Sequence, residues 1–465
     1  MNQNLFLAGH ALLCDRPASN TAVAAMANLQ SAKNIDLAKA PPLHGTPERW
    51  QTDEGAQVSF IAMHDRPMFD LVLRFRAGSV LDGTSPGLAA LAMYSLDQGT
   101  EQHDAAQFAQ QMAGCGAILS RKISDDSATI TLRCLSLPTL RTSVMRLFTA
   151  MLARPAFRAA EVAKIRERIK SYRARRGADP VMQMAEAIRA HAFNGHPYAA
   201  SSATDAIDSI SLEQLRAFHK QAYSANNLDI GLVGNLTREQ AEQLITDLVQ
   251  ALPQRWAAQG LAPVARHQPL ARHLKATHSN TQAILAVVSA VSPRDPVFPA
   301  LMLLNMILGG SYESRLTQEL RNRRSLTYAI ESNLRPLDAA SVLYIHWDIA
   351  PQYRDASHAL VSAILACLRE NGPGQEECDM AVNQIANELH HDFADNAKLA
   401  AALATHSHQG LPADHLASFI DKLSALTPSD LREVAQVWLS QPEILVTTGP
   451  ETEQLPLPEP LPTDQ

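Results

Sequence analysis

The chain has 465 residues, 46 % hydrophobic and 19 % charged, a balance ordinary for a soluble globular protein with room for roughly two to four domains. Its net charge of −7 argues against nucleic acid as a general partner, and no apolar run reaches the ~18 residues that a membrane span needs. Five cysteines (Cys14, Cys115, Cys134, Cys367 and Cys378) are widely spaced without a C-x-x-C, which suits small buried residues better than a disulfide framework or thiolate metal site.

Residues 1–45 are rich in Ala and Asn without sustained periodicity, and are expected to form a mobile leader closed by Pro41-Pro42. The apolar run from Asn4 to Cys14 and the small-residue Ala25-Met26-Ala27 make a poor export signal. No Lys or Arg precedes the run, and Asp15, Arg16 and Asn20 follow it. Beyond Trp50, Val58, Phe60 and Ala62 alternate, then Leu71, Leu73 and Phe75, with His64-Asp65-Arg66-Pro67 between; this predicts two strands joined as a hairpin. Ser85 is placed to cap a helix with Pro86 at its first position. Leu88, Leu91, Ala92, Ser95 and Leu96 form that helix's buried face, and Gly99 its stop. A second hairpin is predicted over 117–135, then amphipathic helices over 139–152, 160–175 and 182–193, the last closed by Asn194-Gly195-His196-Pro197. Ser211 caps a helix running to Tyr223, and 228–233 is an apolar strand.

A second cycle then begins. Ser211-Leu212-Glu213-Gln214-Leu215-Arg216 matches Thr427-Pro428-Ser429-Asp430-Leu431-Arg432, 216 positions on. Residues 148–161 match 364–377 at the same offset, and the strand 228–233 recurs at 444–448. One shared offset indicates a duplicated unit of about 200 residues. Each unit mixes hairpins with helices, so the expected fold is α+β: two homologous domains, each a mainly antiparallel sheet with helices packed on one side. The expected layout is a leader 1–45, a first domain 46–256, a second domain 257–450 and a Pro-rich tail 451–465, with Pro253, Pro263 and Pro269 marking the seam. The tail is expected to be polyproline-like and largely unpacked, with a docking peptide as the alternative.

In the second unit, Gly309-Gly310 is expected to turn the backbone or take up positive φ. Residues from Glu313 to Arg323 favour helix, and Leu326, Tyr328 and Ile330 alternate as a strand. Arg321 thus nears the end of the helix, and Tyr328 lies just inside the strand. A permanent cation and a phenol brought together could both donate to one carbonyl oxygen; equally, Arg321 could be a solvated helix charge and Tyr328 part of the core. His390-His391 with Asp392 and Asp395, and His406 with His408, are the best histidine clusters. Neighbours on a helix point apart, however, and polar surface is the plainer reading.

This second-unit stretch resembles a signature of the pitrilysin/insulinase-type zinc peptidases. Their second domain carries Gly-Gly, a Ser-Arg-Leu helix, and an Arg followed seven residues later by Tyr. Gly309, Gly310, Ser314, Arg315, Leu316, Arg321, Leu326 and Tyr328 fall on that pattern. The resemblance extends over about residues 46–450, through Arg74 to Gly78, Gly195-His196-Pro197, and Asn226-Asn227 leading to Val233-Gly234. It implies that Arg321 and Tyr328 contact the substrate backbone and the oxyanion formed in hydrolysis.

The family's first domain carries Gly-Leu-Ala-His-x-x-Glu-His-x-x-x-x-Gly-Thr, two zinc-ligand histidines and a glutamate base on one helical face. Here the frame aligns without a gap from Gly87-Leu88-Ala89 to Gly99-Thr100. Ala90 and Tyr94 occupy the ligand positions and Met93 that of the base. The third ligand, a glutamate ahead of an Asp-Pro-like element, falls on Ser171 or Tyr172 before Asp179-Pro180. The resemblance is therefore to the zinc-less, Arg/Tyr-bearing subunit of a bacterial heterodimeric pair. It implies half of a clamshell that binds no cofactor and is inactive alone. Its partner would be a zinc-bearing homologous subunit, and its substrate a peptide or unfolded protein added as a strand to a sheet edge. The alternative is a non-catalytic scaffold or peptide-binding protein of the same fold. Exported relatives point to a bacterial periplasm, while the poor leader leaves the cytoplasm open.

Overall fold

The computed structural model describes residues 46–199, 206–277 and 279–460; the expected leader with Cys14, and the tail from 461 onward, lie outside the described residues. The first half contains β1 (Glu48–Gln51), β2 (Gln57–Ala62), β3 (Met68–Phe75), α1 (Leu88–Ser95), α2 (Ala105–Gly114), β4 (Ile118–Ile123) and β5 (Ala128–Leu135). It continues with α3 (Pro138–Ala153), α4 (Ala159–Gly177), α5 (Pro180–Ala192), α6 (Leu212–Ala222), β6 (Leu228–Gly234) and α7 (Arg238–Ala251). The second half contains β7 (Leu270–Lys275), β8 (Thr281–Ser289), α8 (Phe298–Asn305), β9 (Ile330–Leu337) and β10 (Ala340–Ile349). It continues with α9 (Arg354–Asn371), α10 (Gln375–Phe393), α11 (Asn396–His408), α12 (His415–Ser424), α13 (Pro428–Trp438) and β11 (Glu443–Gly449).

The fold is α+β, built on two sheets of order β1-β2-β6-β3-β5-β4 and β7-β11-β8-β10-β9. Without β1 the two orders correspond strand for strand. Each holds one parallel pair, β2 with β6 and β7 with β11, in an otherwise antiparallel sheet. The helices repeat at one spacing: α3, α4, α5 and α6 begin at 138, 159, 180 and 212, and α9, α10, α11 and α13 at 354, 375, 396 and 428. Even a cap repeats. The Asp179 side chain accepts from Val181 N at 2.9 Å, and that of Asp395, 216 positions on, from Ala397 N at 2.8 Å.

Two expectations are corrected. The strands β2 and β3 are not a hairpin, because β6 lies between them, parallel to one and antiparallel to the other. All seven residues of β6 are buried, and such a strand takes a central place that local alternation cannot reveal. Nor does Ser85 cap α1. The helix starts at Leu88 after Gly87, whose φ of 103° only glycine adopts readily. Its first amides are held by Asp82, which accepts from Gly87 N at 2.6 Å and Ala89 N at 2.8 Å. Ser85 Oγ instead accepts from Gln214.

Each half lends a helix to the other's sheet. From the first half, α5 sets Met184, Ile188 and Ala192 against Ile284, Ala286, Ile444 and Val446 of the second sheet. From the second half, α11 packs on β6, β3 and β2 of the first sheet, joining Ala400, Leu403 and Ala404 to Val72 and Val233. Gly231 permits that approach, since a Cβ there would lie 1.9 Å from Ala400 O. Among the described residues no helix is long and apolar enough to cross a membrane.

Candidate functional site

α8 does not end at the two glycines by a left-handed turn. It widens into a π-helical turn, Met306–Gly310, and neither glycine has positive φ. The reason for Gly309 is proximity, because a Cβ there would lie 2.7 Å from Ser332 N in β9. The contact is pinned by Ser332 Oγ, which donates to Asn305 O at 3.1 Å. A second widened turn, Thr317–Asn322, carries Arg321, with Arg323 N donating to Gln318 O five residues back. π-turns of this kind recur at functional sites.

Tyr328 is not inside the strand as expected. Ser325 takes a left-handed φ of 50°, and Thr327 Oγ1 donates to Ala329 O and Asp348 Oδ1. This bent connection delays entry to the sheet until Ile330, which pairs with Trp347. Tyr328 is left 82 % exposed.

Four arginines crowd this element, and their partners separate them. Arg315 is buried; its Nε and Nη2 donate to the two oxygens of Glu377 at 2.9 and 2.7 Å, and Nη2 also donates to Gly372 O. Arg323 and Arg324 both pair with Glu319. Arg321 has no carboxylate within ion-pair reach among the described residues. Its guanidinium carbon lies instead 4.5 Å from the Tyr328 ring centre and 5.3 Å from that of Tyr312. Tyr312, itself 60 % exposed, is a member of this group that sequence reasoning missed. It sits in an irregular turn, where no periodicity marks it. The arrangement places a partly exposed guanidinium beside two exposed phenols, groups that can each donate a hydrogen bond.

The lost zinc motif is packed shut. Met93 is fully buried and its Sδ lies 3.9 Å from the Tyr223 hydroxyl, which donates to it. The Arg121 guanidinium lies over the Tyr94 ring at 5.8 Å, pairs with Asp97 and donates to Tyr94 O. A cation therefore packs beside the helix position where the motif has a ligand. Ser171 and Tyr172 face solvent, the Tyr172 hydroxyl accepting from Arg176 at 2.7 Å. The buried side of α4 is Val162, Ile165 and Ile169. These residues do not fit zinc.

The histidine clusters do not converge either. Asp392 pairs with Lys398, and Asp395 with Arg133. His406 stands against His415, ring centres 4.7 Å apart, and burial pushes it down to about 3. His408 is buried between two aspartates at the junction of the halves. Among the described residues no group of three or more His, Cys, Asp or Glu side chains is placed to hold a metal ion.

Metal analysis of the dialysed chain is expected to find no stoichiometric zinc. About one zinc per chain, lost on mutating a definable site, would overturn this. Ala90→His with Met93→Glu and Tyr94→His is not expected to create a peptidase. The new glutamate would be a carboxylate in an apolar core, costing several kcal/mol or taking up a proton. Strong zinc-dependent hydrolysis by the triple variant alone would show the core to be more permissive than this packing.

The model for the peptidase M16 inactive domain matches residues 209–385. The crystal structure of a peptidase M16 inactive domain from Pseudomonas fluorescens superposes with a TM-score of 0.85 at 31 % identity, covering 89 % of this chain and 100 % of that one. The periplasmic protease PqqL of Escherichia coli superposes with a TM-score of 0.73 at 14 % identity, over 89 % of this chain but only 46 % of that one. An uncharacterized zinc protease of Streptomyces coelicolor is 20 % identical over 257 residues, 53 % of this chain and 55 % of the relative. The chain thus spans about half the length of that relative. The shared identity runs the whole length of the Pseudomonas fluorescens domain, and α1 carries none of the motif's ligands: the chain belongs to the peptidase M16 family, on its non-catalytic, pitrilysin-type side.

Proposed function

We propose that this chain is the zinc-less subunit of a heterodimeric metallopeptidase. In this reading it forms half of a clamshell, with domains at 46–256 and 257–450, and lends Arg321 and Tyr328 to the active site of a zinc-bearing homologous partner. There they bind the backbone of a peptide or unfolded-protein substrate and stabilise its oxyanion. The observation that carries this is the state of Arg321. Each of its three arginine neighbours is paired with a carboxylate, Arg315 with Glu377 and both Arg323 and Arg324 with Glu319, while Arg321 lies against two exposed tyrosine rings. A guanidinium without a carboxylate partner among the described residues, beside two exposed phenols, favours the peptidase reading over a scaffold. The match to 46 % of a longer protease supports half of a clamshell that another chain completes.

The test is to co-express the chain with a zinc-bearing homologue, purify each and the pair, and assay peptide hydrolysis. The pair should hydrolyse peptide and this chain alone should not. A pair that forms but is no faster than the partner alone leaves the scaffold reading.

A further inference from the structure

Only the stretch up to Pro460 of the Pro-rich tail is described, and it is not unpacked as its composition suggests. Gln454, Leu457 and Pro460 are half-buried while the residues between them are exposed. A spacing of three is the turn of a polyproline II helix, so one edge of that helix lies against the protein.

Its anchors are specific. Lys275 pairs with Glu451 at 3.6 Å. Gln454 Nε2 donates to Pro351 O at 3.0 Å, and its Oε1 accepts from Asp355 N at 3.0 Å. Leu455 N donates to Gln352 O at 2.8 Å, and Arg324 Nη1 donates to Pro458 O at 3.4 Å. The course follows from the sheet. Near its end β11 pairs Thr448 with Gln282 at the start of β8; the neighbouring Thr281 faces Ile349 at the end of β10, and Trp347 faces Ile330 at the start of β9. Leaving β11, the tail crosses the ends of β8 and β10 and reaches the connection from which β9 begins. That connection carries Tyr328.

We propose that residues 451–460 are a strap that braces the Arg321–Tyr328 connection from outside. The strap joins the β10–α9 turn at Pro351, Gln352 and Asp355 to Arg324, three residues past Arg321 and four before Tyr328. Thr327 is tied to the same β10 end through Asp348. The connection's own bonds run back to its helical turn, from Ser325 N to Arg321 O and from Leu326 N to Leu320 O, so the strap and the Thr327–Asp348 bond are what tie it to the end of β10. Alternating prolines suit the role. Pro456, Pro458 and Pro460 have no N–H, so the strap lies across the sheet end without being drawn in as a strand. It stops short of covering the site, since Tyr328 and Tyr312 stay exposed. The strap is therefore a brace and not a plug, and its residues act through others as positioning residues.

The test compares the full chain with one ended at Pro450 and with Gln454→Ala, which removes the two Gln454 side-chain bonds to the β10–α9 turn without shortening the chain. Hydrogen exchange needs no partner. The amides of Ser325 and Leu326, bonded to Arg321 O at 3.0 Å and Leu320 O at 2.8 Å, report the connection. They should exchange about tenfold faster in the truncated chain and about threefold faster in Gln454→Ala, with Leu285 and Leu343 unchanged. Exchange within about twofold of wild type in both variants overturns the strap, and if truncation unfolds the protein, Gln454→Ala decides. The effect on turnover rests on the proposed function. In the reconstituted pair the truncated chain should lower kcat about fivefold with unchanged association. An increase in kcat would make the tail an obstruction and overturn the brace. So would unchanged kcat in a pair where Tyr328→Phe is slow. If Tyr328→Phe is itself silent, the proposed function has failed, and exchange alone judges the strap.

Discussion

In the reconstituted pair, Tyr328→Phe is expected to lower kcat about 10²-fold while KM stays nearly unchanged. During amide hydrolysis charge builds on the carbonyl oxygen, and a donor already in place for that charge is worth about 3 kcal/mol. The substitution removes only the hydroxyl. Tyr328 is 82 % exposed, so no cavity opens, and the ring stays over the Arg321 guanidinium. The loss therefore isolates the hydroxyl from the stacking. Arg321→Ala should cost at least as much, since it removes the cation and leaves Tyr312 and Tyr328 without the group between them. Arg321→Lys should not fully rescue, because a compact ammonium lacks the planar fork that donates in two directions and stacks on rings. Tyr312→Leu should cost less, about three- to tenfold, the scale of one cation–π contact of ~1 kcal/mol. All four variants should bind the partner as wild type does. If Tyr328→Phe and Arg321→Ala both keep turnover within about twofold, under ~0.5 kcal/mol, the role in trans is wrong.

What was legible in the sequence was mostly local or repeated. The helix ending near Arg321, the degenerate Ala90/Met93/Tyr94 frame and the 216-residue offset are patterns within a window, or between two copies of one. The misses depend on distant partners. No window around β2 and β3 shows that a strand some 160 residues later separates them. Asp82 caps α1 from outside the stretch that a capping pattern inspects. Gly309 looked like a turn residue, and its role became visible only once β9 lay against it. Tyr312 sat in plain view within the family signature, yet a side chain in an irregular turn signals nothing until the cation it covers is placed. His408 was weighed as a metal ligand with His406, although the two rings go to different places. One is edge-on to His415, and the other is buried at the junction of the halves.

His408→Ala is expected to carry a large stability effect, because one buried ring contacts a carboxylate from each half. At the end of α11 its side chain is wholly buried, Nε2 lying 2.8 Å from Asp338 Oδ2 and Nδ1 3.3 Å from Asp229 Oδ2. Asp229 belongs to the first sheet and Asp338 to the turn between β9 and β10, so one imidazole ring joins both halves. Arg74 and Asp126 face the same cluster. Tyr198 donates to Asp126 at 2.6 Å, as does Asp338 N at 3.2 Å. Burial alone would lower the His408 value, but the close Asp229 carboxylate and the hydrogen bond with Asp338 outweigh burial and raise it above the usual 6.5. The folded chain thus holds this proton more tightly than the unfolded chain. That stabilisation is complete below pH 6.5 and is lost as pH rises through the raised folded value. Asp126, raised from 3.8 to about 6 by burial and then by Asp338, acts in the same direction, so stability also declines between those two values. Asp338 opposes them on the acid side: burial would raise it, but His408 holds it below 3.8, and its contribution fades as pH falls through that lowered value. His408→Ala removes the cation and leaves two carboxylates facing a new cavity. The expected cost near pH 6 is about 3–5 kcal/mol, the usual result of breaking one side of a buried pair. The slope of stability against pH above 6.5 should flatten in the variant. Urea unfolding of wild type and His408→Ala at pH 6 and at pH 8.5 measures both effects. A cost below ~1 kcal/mol at pH 6, or an equal pH slope in the two proteins, would show that the junction does not depend on the charged imidazole.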